Sequence, residues 1–151
     1  MSEKVVFLIF PADSAFEGAT PILNALEKND VKASFFLTGN CLRNQDHRPV
    51  IERIIADGHY LGGHSDKHIL YAGWDNRDSL LVSADSLIAD FRNNMRELAD
   101  YGVDTDKTPY YLPPYEWYNK ESVRIVESLG QITINYTPGI RTAADYTISG
   151  M

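Results

Sequence analysis

The sequence predicts an α/β fold with a parallel sheet built from βαβ units. Short runs of β-branched and aromatic residues alternate with segments whose apolar residues recur at helical spacing. Such alternation indicates right-handed crossovers, either in an open doubly wound sheet or in part of a β/α barrel. A complete eight-unit barrel takes about 250 residues, and the 151 residues of this chain are too few to close one.

The first half of the chain carries three predicted strands and two predicted helices. The first apolar run is too short for a helix and apolar on both faces, which favours a central parallel strand. The predicted elements are a strand over Val5–Phe10, a helix that Thr20 caps and Asn29 ends, a strand over Val31–Leu37, a helix from Pro49 to a Gly58 cap, and a short strand over His59–Leu61.

The second half begins with a long segment without periodicity, residues 63–82, which we interpret as a loop with a functional role. Ser83 then caps a helix whose apolar residues continue to Gly102. The remaining predicted elements are a strand over Tyr110–Leu112, a helix over Asn119–Leu129 that Gly130 closes, and a strand over Ile132–Tyr136. The predicted order is therefore βαβαβαβαβ, in one domain spanning residues 1–151.

Composition excludes several classes of function. The net charge of −7 opposes binding to nucleic acid phosphates. Cys41 is the only cysteine, so neither an intrachain disulfide nor a cysteine-based zinc site can form. The longest apolar run is far shorter than the roughly 20 residues that span a bilayer. No signal peptide is recognisable at the N-terminus, and localisation stays unknown, with a periplasmic or secreted parent protein left open.

Two histidines four residues apart, His64 and His68, follow the third predicted strand. This spacing lets both imidazoles reach one metal ion from a helical turn or from a tight loop. Asp13 follows the first strand, so in a parallel sheet it lies at the same end and completes a three-ligand site with an open position for water. The alternatives are two solvated loop histidines and a helix-capping or turn aspartate.

An aromatic turn follows the fourth predicted strand, Leu112-Pro113-Pro114-Tyr115-Glu116-Trp117-Tyr118. Apolar ring faces stack on pyranose rings, whereas Tyr and Trp also offer a polar group to sugar hydroxyls. We therefore expect saccharide-binding side chains at Trp117 and Tyr118, with Trp74 and Tyr71 of the long loop as further candidates. Each aromatic could instead pack on the end of the sheet.

Together these motifs resemble the polysaccharide deacetylase family with the NodB homology domain, the family 4 carbohydrate esterases. The likeness covers most of the chain: residues 32–39 resemble the family's second strand, residues 64–68 fit its His-Ser-x-x-His metal motif, and Pro113-Pro114-Tyr115 resembles the end of its Arg-Pro-Pro-Tyr motif. The resemblance implies an incomplete, distorted (β/α) barrel and a divalent metal, most often zinc, on Asp13, His64 and His68. It also implies an acetylated saccharide as substrate and a chain that is the N-terminal part of a larger catalytic domain.

The sequence departs from the family where the general base is expected. The family has two adjacent aspartates after the first strand, and here Ala12 precedes Asp13; Leu112 stands where the family has the arginine that orients the base. Glu116 and Glu17 are the candidate replacements. No Leu-x-His, which supplies the family's general acid, occurs in these 151 residues.

The resemblance therefore implies a metal-dependent hydrolase that removes N- or O-linked acetyl groups from a polysaccharide such as chitin or acetylxylan. Glu116 is the candidate base, and a backbone N–H near Tyr115 is the candidate oxyanion donor. Without the acid, this chain is expected to turn over slowly or not at all. Two alternatives stay open, a catalytically silent carbohydrate-binding relative and a hydrolase of a small cyclic amide. His47 and His59 are interpreted as structural or solvated.

Overall fold

The predicted alternation of strands and helices is confirmed by the computed structural model, which describes residues 5–138. Five parallel strands form one sheet in the order β1-β2-β3-β4-β5, so each strand lies beside its neighbour in sequence. The strands are β1 Ile9–Ala12, β2 Ser34–Leu37, β3 Tyr60–Gly63, β4 Tyr110–Tyr111 and β5 Ile132–Thr133. The helices are α1 Ala19–Lys28, α2 Gly39–Arg43, α3 Arg48–Ala56, α4 Ala84–Asp100 and α5 Lys120–Ser128.

The long helices pack on one face of this sheet. Strand register places Phe35, Leu61 and Tyr111 on the same face, where they contact the buried apolar side chains of α1, α3, α4 and α5. A doubly wound sheet carries helices on both faces and reverses its strand order. Consecutive order with one-sided helices is instead the arrangement of a β/α barrel, here open rather than closed.

The first strand begins later than predicted. Val5, Val6 and Phe7 are 65%, 80% and 82% exposed, and β1 starts only at Ile9. The prediction of a central strand over Val5–Phe10 was therefore wrong. Within residues 5–138, β1 pairs with β2 alone and lies at an edge of the sheet. The apolar run therefore lacks the neighbouring strand on each side that a central strand has.

The helix boundaries follow local backbone chemistry. Ser83 accepts the backbone N–H of Ser86 and caps α4, as predicted, and Asn119, which we expected to begin the next helix, caps α5 in the same way. Thr20 does not cap α1: Gly18 occupies the cap position without a side-chain hydrogen bond, and Thr20 lies inside the helix. A proline is tolerated throughout the first turn, so Pro21 located the helix correctly but its first residue only to within two positions.

Two short elements between β2 and α3 were not predicted. Helix α2 has five residues, and Gln45–His47 forms one 3₁₀ turn directly after it. Such short elements leave no room for an apolar period. Their local sequence signals are two capping side chains: Thr38 accepts the N–H of Cys41, and Asn44 accepts the N–H of Asp46. The predicted loop is confirmed over residues 64–82, since Gly63 belongs to β3, and an antiparallel bridge between Ala72 and Leu80 ties this loop together.

Candidate active site

The carboxyl ends of three strands carry the predicted site residues. Asp13 follows β1 directly, His64 follows β3, and the turn at 113–116 follows β4 after Leu112. Because the strands are parallel, these ends lie at the same edge of the sheet. Parallel pairing thus brings together residues that are about 100 positions apart in sequence, as the sequence reasoning expected.

Asp13 is held by side chains from the beginning of α2. Its Oδ1 accepts hydrogen bonds from Thr38 Oγ1 at 2.8 Å and Asn40 Nδ2 at 3.2 Å. Partial burial raises the pKa of the Asp13 carboxyl, but the hydrogen bonds from Thr38 and Asn40 and the nearby His68 outweigh it and keep that pKa below its usual value. Asp13 is therefore a carboxylate near neutral pH, the form that binds a cation.

His64 is buried and held in one orientation. Its ring Nδ1 lies 2.8 Å from the carbonyl oxygen of Leu112, so Nδ1 carries the proton and donates it. Its backbone N–H donates to Asn94 Oδ1 at 2.9 Å. Burial lowers the pKa of His64 to about 4, which leaves the ring neutral at physiological pH. Nε2 is then an unprotonated nitrogen, as in the histidines that bind metal ions through one nitrogen and donate from the other.

His68 lies beside His64 and under the aromatic turn. The two imidazole centroids are 5.0 Å apart, and the His68 ring lies 4.3 Å from that of Tyr115. His68 and Ser65 both have left-handed backbone angles, with φ of 54° and 74°. The segment from His64 to His68 is therefore a tight loop rather than a helical turn, the second of the two geometries considered for this spacing.

The loop from His64 to His68 fits closely against α2. The backbone N–H groups of Gly39 and Asn40 donate to the carbonyl oxygens of Ser65 and Asp66, each at 3.0 Å. A Cβ on Gly39 would collide with the Asp66 carboxylate, so the close approach requires glycine. This contact locks the start of α2, which holds Asp13, to the loop that carries both histidines.

The turn after β4 brings Glu116 to His64. Glu116 Oε1 lies 3.9 Å from His64 Nε2, the nitrogen that the Leu112 hydrogen bond leaves unprotonated. Tyr115 and Glu116 have φ of 59° and 51°. Left-handed non-glycine residues cost about 1–3 kcal/mol each and persist where the surroundings enforce them, often at functional sites.

Glu17, the other candidate base, lies differently. It is exposed, and its Oε2 accepts the backbone N–H of Phe16 at 3.0 Å. Leu112 contributes its carbonyl oxygen to His64, while its side chain is buried in the sheet. The carboxylate of Glu116 lies near His64, and this favours Glu116 over Glu17 as the acidic side chain of the site.

Three of the four predicted saccharide-binding aromatics extend from the site across the surface: Trp74, Trp117 and Tyr118. Tyr115 of the same turn lies beside them. Trp74 and Tyr115 are 58% and 46% exposed, with ring centroids 5.8 Å apart. Trp117 supports Trp74 at 5.3 Å, while Arg77 lies 4.0 Å from the Trp117 ring and 5.1 Å from the Tyr118 ring. Trp74 and Tyr115 are therefore the exposed rings of this group, whereas Trp117 packs against Trp74.

Tyr71 does not belong to this surface. It is 1% exposed, and its hydroxyl lies 2.6 Å from that of Tyr111. The suggestion that it binds saccharide was wrong, because the loop folds this side chain inward onto α4. His59, in contrast, is structural as predicted: it lies before β3, at the end opposite the site, and its Nδ1 accepts the N–H of Ala33.

Two supporting residues were missed in the sequence, Asp90 and Asn94 on α4. Both are buried, and both contact the loop from His64 to His68. Asn94 also donates from Nδ2 to the carbonyl oxygen of Leu37 at 3.0 Å. The available signal was a polar residue within the apolar stripe formed by Leu87, Phe91 and Leu98, a position that a purely packing helix fills with an apolar side chain.

The donor chemistry of this site fits a divalent metal, although no metal-binding geometry is preassembled. Among residues 5–138, no three His, Cys, Asp or Glu side chains already converge closely enough to hold an ion. The individual donors are nevertheless suitable: Asp13 is a carboxylate, and the neutral His64 directs its protonated nitrogen away from the site. Neutral imidazole with carboxylate is a common donor set for zinc.

None of the helices described in residues 5–138 is long and apolar enough to cross a membrane.

Comparison with known proteins agrees with these observations. A chitin deacetylase of Pestalotiopsis is 29% identical over 125 residues, covering 82% of this chain and 38% of its own length. An uncharacterised 30.6 kDa protein of Geobacillus stearothermophilus is 28% identical over 134 residues, covering 85% of this chain and 44% of its own. The chain thus spans less than half the length of these relatives.

Among solved structures, a mutant of BA3943, a family 4 carbohydrate esterase pseudoenzyme of Bacillus anthracis with restored enzymatic activity, superposes with a TM-score of 0.73. It is 25% identical, and the match covers 89% of this chain and 45% of that one. The sequence profile of the polysaccharide deacetylase family matches residues 1–134. With the parallel sheet and the His-Ser-x-x-His loop, this match shows that the chain belongs to the polysaccharide deacetylase family.

Proposed function

We propose that this chain forms the catalytic centre of a metal-dependent hydrolase that removes acetyl groups from an N- or O-acetylated polysaccharide or oligosaccharide. The observation that carries the proposal is the pair His64 and His68 at the carboxyl end of β3, with His64 held neutral by burial and its Nδ1 proton engaged by Leu112. Membership of the deacetylase family supports the same reaction class.

Asp13, His64 and His68 would hold the ion, with zinc the best match to two imidazoles and one carboxylate. When bound, a divalent ion at this position polarises an acyl carbonyl and makes water more acidic. Two of these donors are already oriented by their neighbours, although the three do not yet converge on one point. Thr38 and Asn40 orient the Asp13 carboxylate, and the carbonyl of Leu112 fixes the tautomer of His64.

Glu116 would take the proton from the attacking water. Its carboxylate lies beside His64 Nε2 at 3.9 Å, and the backbone on both sides is held by the turn that follows β4. Proton transfer to a positioned side chain contributes typically 10²- to 10⁴-fold to rate. In that turn the N–H groups of Glu116 and Trp117 donate to Pro113 and Pro114, so the Tyr115 N–H is the backbone donor we assign to the developing oxyanion.

Trp74 and Tyr115 would bind the sugar ring next to the reacting acetyl group, with Trp117 packed against Trp74 and Tyr118 held beside Arg77. Exposed ring faces beside the reaction centre suit the C–H face of a pyranose. Beyond Trp117, Arg77 and Tyr118 border a shallow groove of about 410 Å³ along α5, so the surface for a longer saccharide continues past the aromatic turn.

A second function, a catalytically silent carbohydrate-binding domain, is favoured by two specific residues. Ala12 and Leu112 occupy the positions where the family is expected to have the base and the arginine that orients it. BA3943, to which this chain is similar, is described as a pseudoenzyme. In that case the loop of His64 and His68 would remain as a binding or structural feature only.

Acetate release distinguishes the two functions. The purified chain is incubated with zinc and oligomers of N-acetylglucosamine or acetylated xylose, with the His64→Ala plus His68→Ala variant as control. The deacetylase proposal predicts acetate release that exceeds the control and depends on added metal. This release should be slow, because the sequence contains no Leu-x-His acid. Saccharide binding that does not depend on added metal, without any release above the control, would favour the silent relative instead.

A further inference from the structure

Asp90 contacts each of the three residues between the two histidines. Its Oδ2 accepts hydrogen bonds from Ser65 Oγ at 2.6 Å and from the backbone N–H of Asp66 at 3.1 Å, and its Oδ1 accepts the backbone N–H of Lys67 at 3.0 Å. The Tyr71 hydroxyl also donates to Oδ2, at 3.4 Å. Asp90 is only 7% exposed, so one buried carboxylate gathers donors from the entire connecting segment.

The loop needs these hydrogen bonds because part of its backbone adopts an unfavourable conformation. Ser65 and His68 both adopt left-handed angles, which residues with a Cβ avoid unless their surroundings enforce them. Two histidines four residues apart could otherwise lie on an ordinary helical turn. The strained shape lets His64 point to Leu112 while the His68 ring lies under Tyr115.

We infer that Asp90 is a positioning residue that sets the spacing and direction of the His64 and His68 imidazoles. A role of Asp90 in catalysis rests on the proposed function. The placement of the two imidazoles by Asp90 applies to the metal-free protein as well. Asn94 fixes the backbone of His64, and Asp90 fixes the three residues that follow. Together they make α4 the support on which the histidine pair is built.

A carboxylate is required because both oxygens must accept. An asparagine at this position has one accepting oxygen and one donating NH₂ group. It therefore loses either the Lys67 contact or the pair of contacts to Ser65 and Asp66, and the NH₂ group then faces another donor. The Asp90→Asn substitution thus changes the hydrogen-bonding pattern at nearly constant volume, which separates positioning from packing.

The test compares Asp90→Asn with Leu87→Ala, a variant one turn earlier on α4. Leu87 is fully buried and belongs to the core rather than to the histidine loop. Asp90→Asn is expected to weaken zinc binding 10- to 100-fold, the usual effect of removing a residue that orients ligands. Leu87→Ala is expected to lower the melting temperature while zinc affinity stays within twofold of the native protein.

Nuclear magnetic resonance of the metal-free protein tests the same inference without zinc. Asp90→Asn should accelerate hydrogen exchange of the Asp66 and Lys67 amides and abolish the contact between the His64 and His68 rings, whose centroids are 5.0 Å apart. If Asp90→Asn does not fold, Ser65→Ala, which removes the shortest of these contacts, replaces it under the same criteria.

The outcomes are separable. Protected amides, an unchanged ring contact and native zinc affinity in Asp90→Asn would overturn the inference, as would an equal loss of zinc affinity in Leu87→Ala. If the native protein binds no zinc, the proposed function fails, and amide exchange and the ring contact still decide whether Asp90 positions the histidines.

Discussion

The buried, neutral state of His64 predicts a specific loss of stability in acid. Burial lowers the pKa of His64 to about 4 in the folded protein, whereas an unfolded histidine titrates near 6.5. The folded state therefore disfavours the protonated ring. Its stabilising contribution is complete above pH 6.5 and is lost as the pH falls from about 6.5 toward 4. Lowering the pKa from about 6.5 to about 4 corresponds to about 3 kcal/mol of folding free energy.

The assay is urea unfolding of the metal-free protein at pH 7 and pH 4, with His64→Asn as the reference. The asparagine amide can donate to the Leu112 carbonyl as His64 Nδ1 does, but it does not titrate. The native protein should lose about 3 kcal/mol more than His64→Asn over this interval, because titration of the remaining groups is common to both proteins. Equal losses in the two proteins would refute the assignment of a buried neutral imidazole.

Three further predictions concern individual side chains. In the full-length enzyme, Glu116→Gln should lower kcat by about 10² or more with zinc affinity unchanged, whereas Glu17→Gln should cost less than threefold; the reverse result would make Glu17 the base. Asn94→Ala leaves the His64 N–H and the Leu37 carbonyl unpaired and should reduce the free energy of unfolding by about 2–5 kcal/mol in urea titrations, a smaller loss indicating that water replaces the amide. Trp74→Ala should raise KM for acetylated oligomers without lowering kcat, and an unchanged KM would remove Trp74 from the binding surface.

The architecture and the main site positions were predictable because they depend on short-range patterns. Apolar runs located β2 to β5, and parallel alternation alone placed Asp13 and His64 at one end of the sheet. Sequence patterns could not determine which apolar segments become buried in the folded protein. Val5–Phe7 has the composition of a buried strand, yet it precedes β1, a strand at the edge of the described sheet, and stays exposed.

The supporting residues of the site were hidden for a different reason. Asp90 and Asn94 act on a loop about 25–30 positions earlier in the chain, and no local pattern connects a helix to a loop that it meets only after folding. Glu116 was identified only as the nearest acidic residue after the prolines. Its left-handed backbone, which turns the carboxylate toward His64, depends on contacts that the sequence does not reveal.

Zinc titration of the metal-free protein by calorimetry tests the central claim most directly. The account predicts one binding site per chain that disappears in His64→Ala and in His68→Ala and is strongly weakened in Asp13→Ala. It also predicts that His59→Ala, which changes a histidine at the opposite end of β3, leaves zinc affinity unchanged. Undiminished zinc binding in the variant that lacks both His64 and His68 would contradict the account.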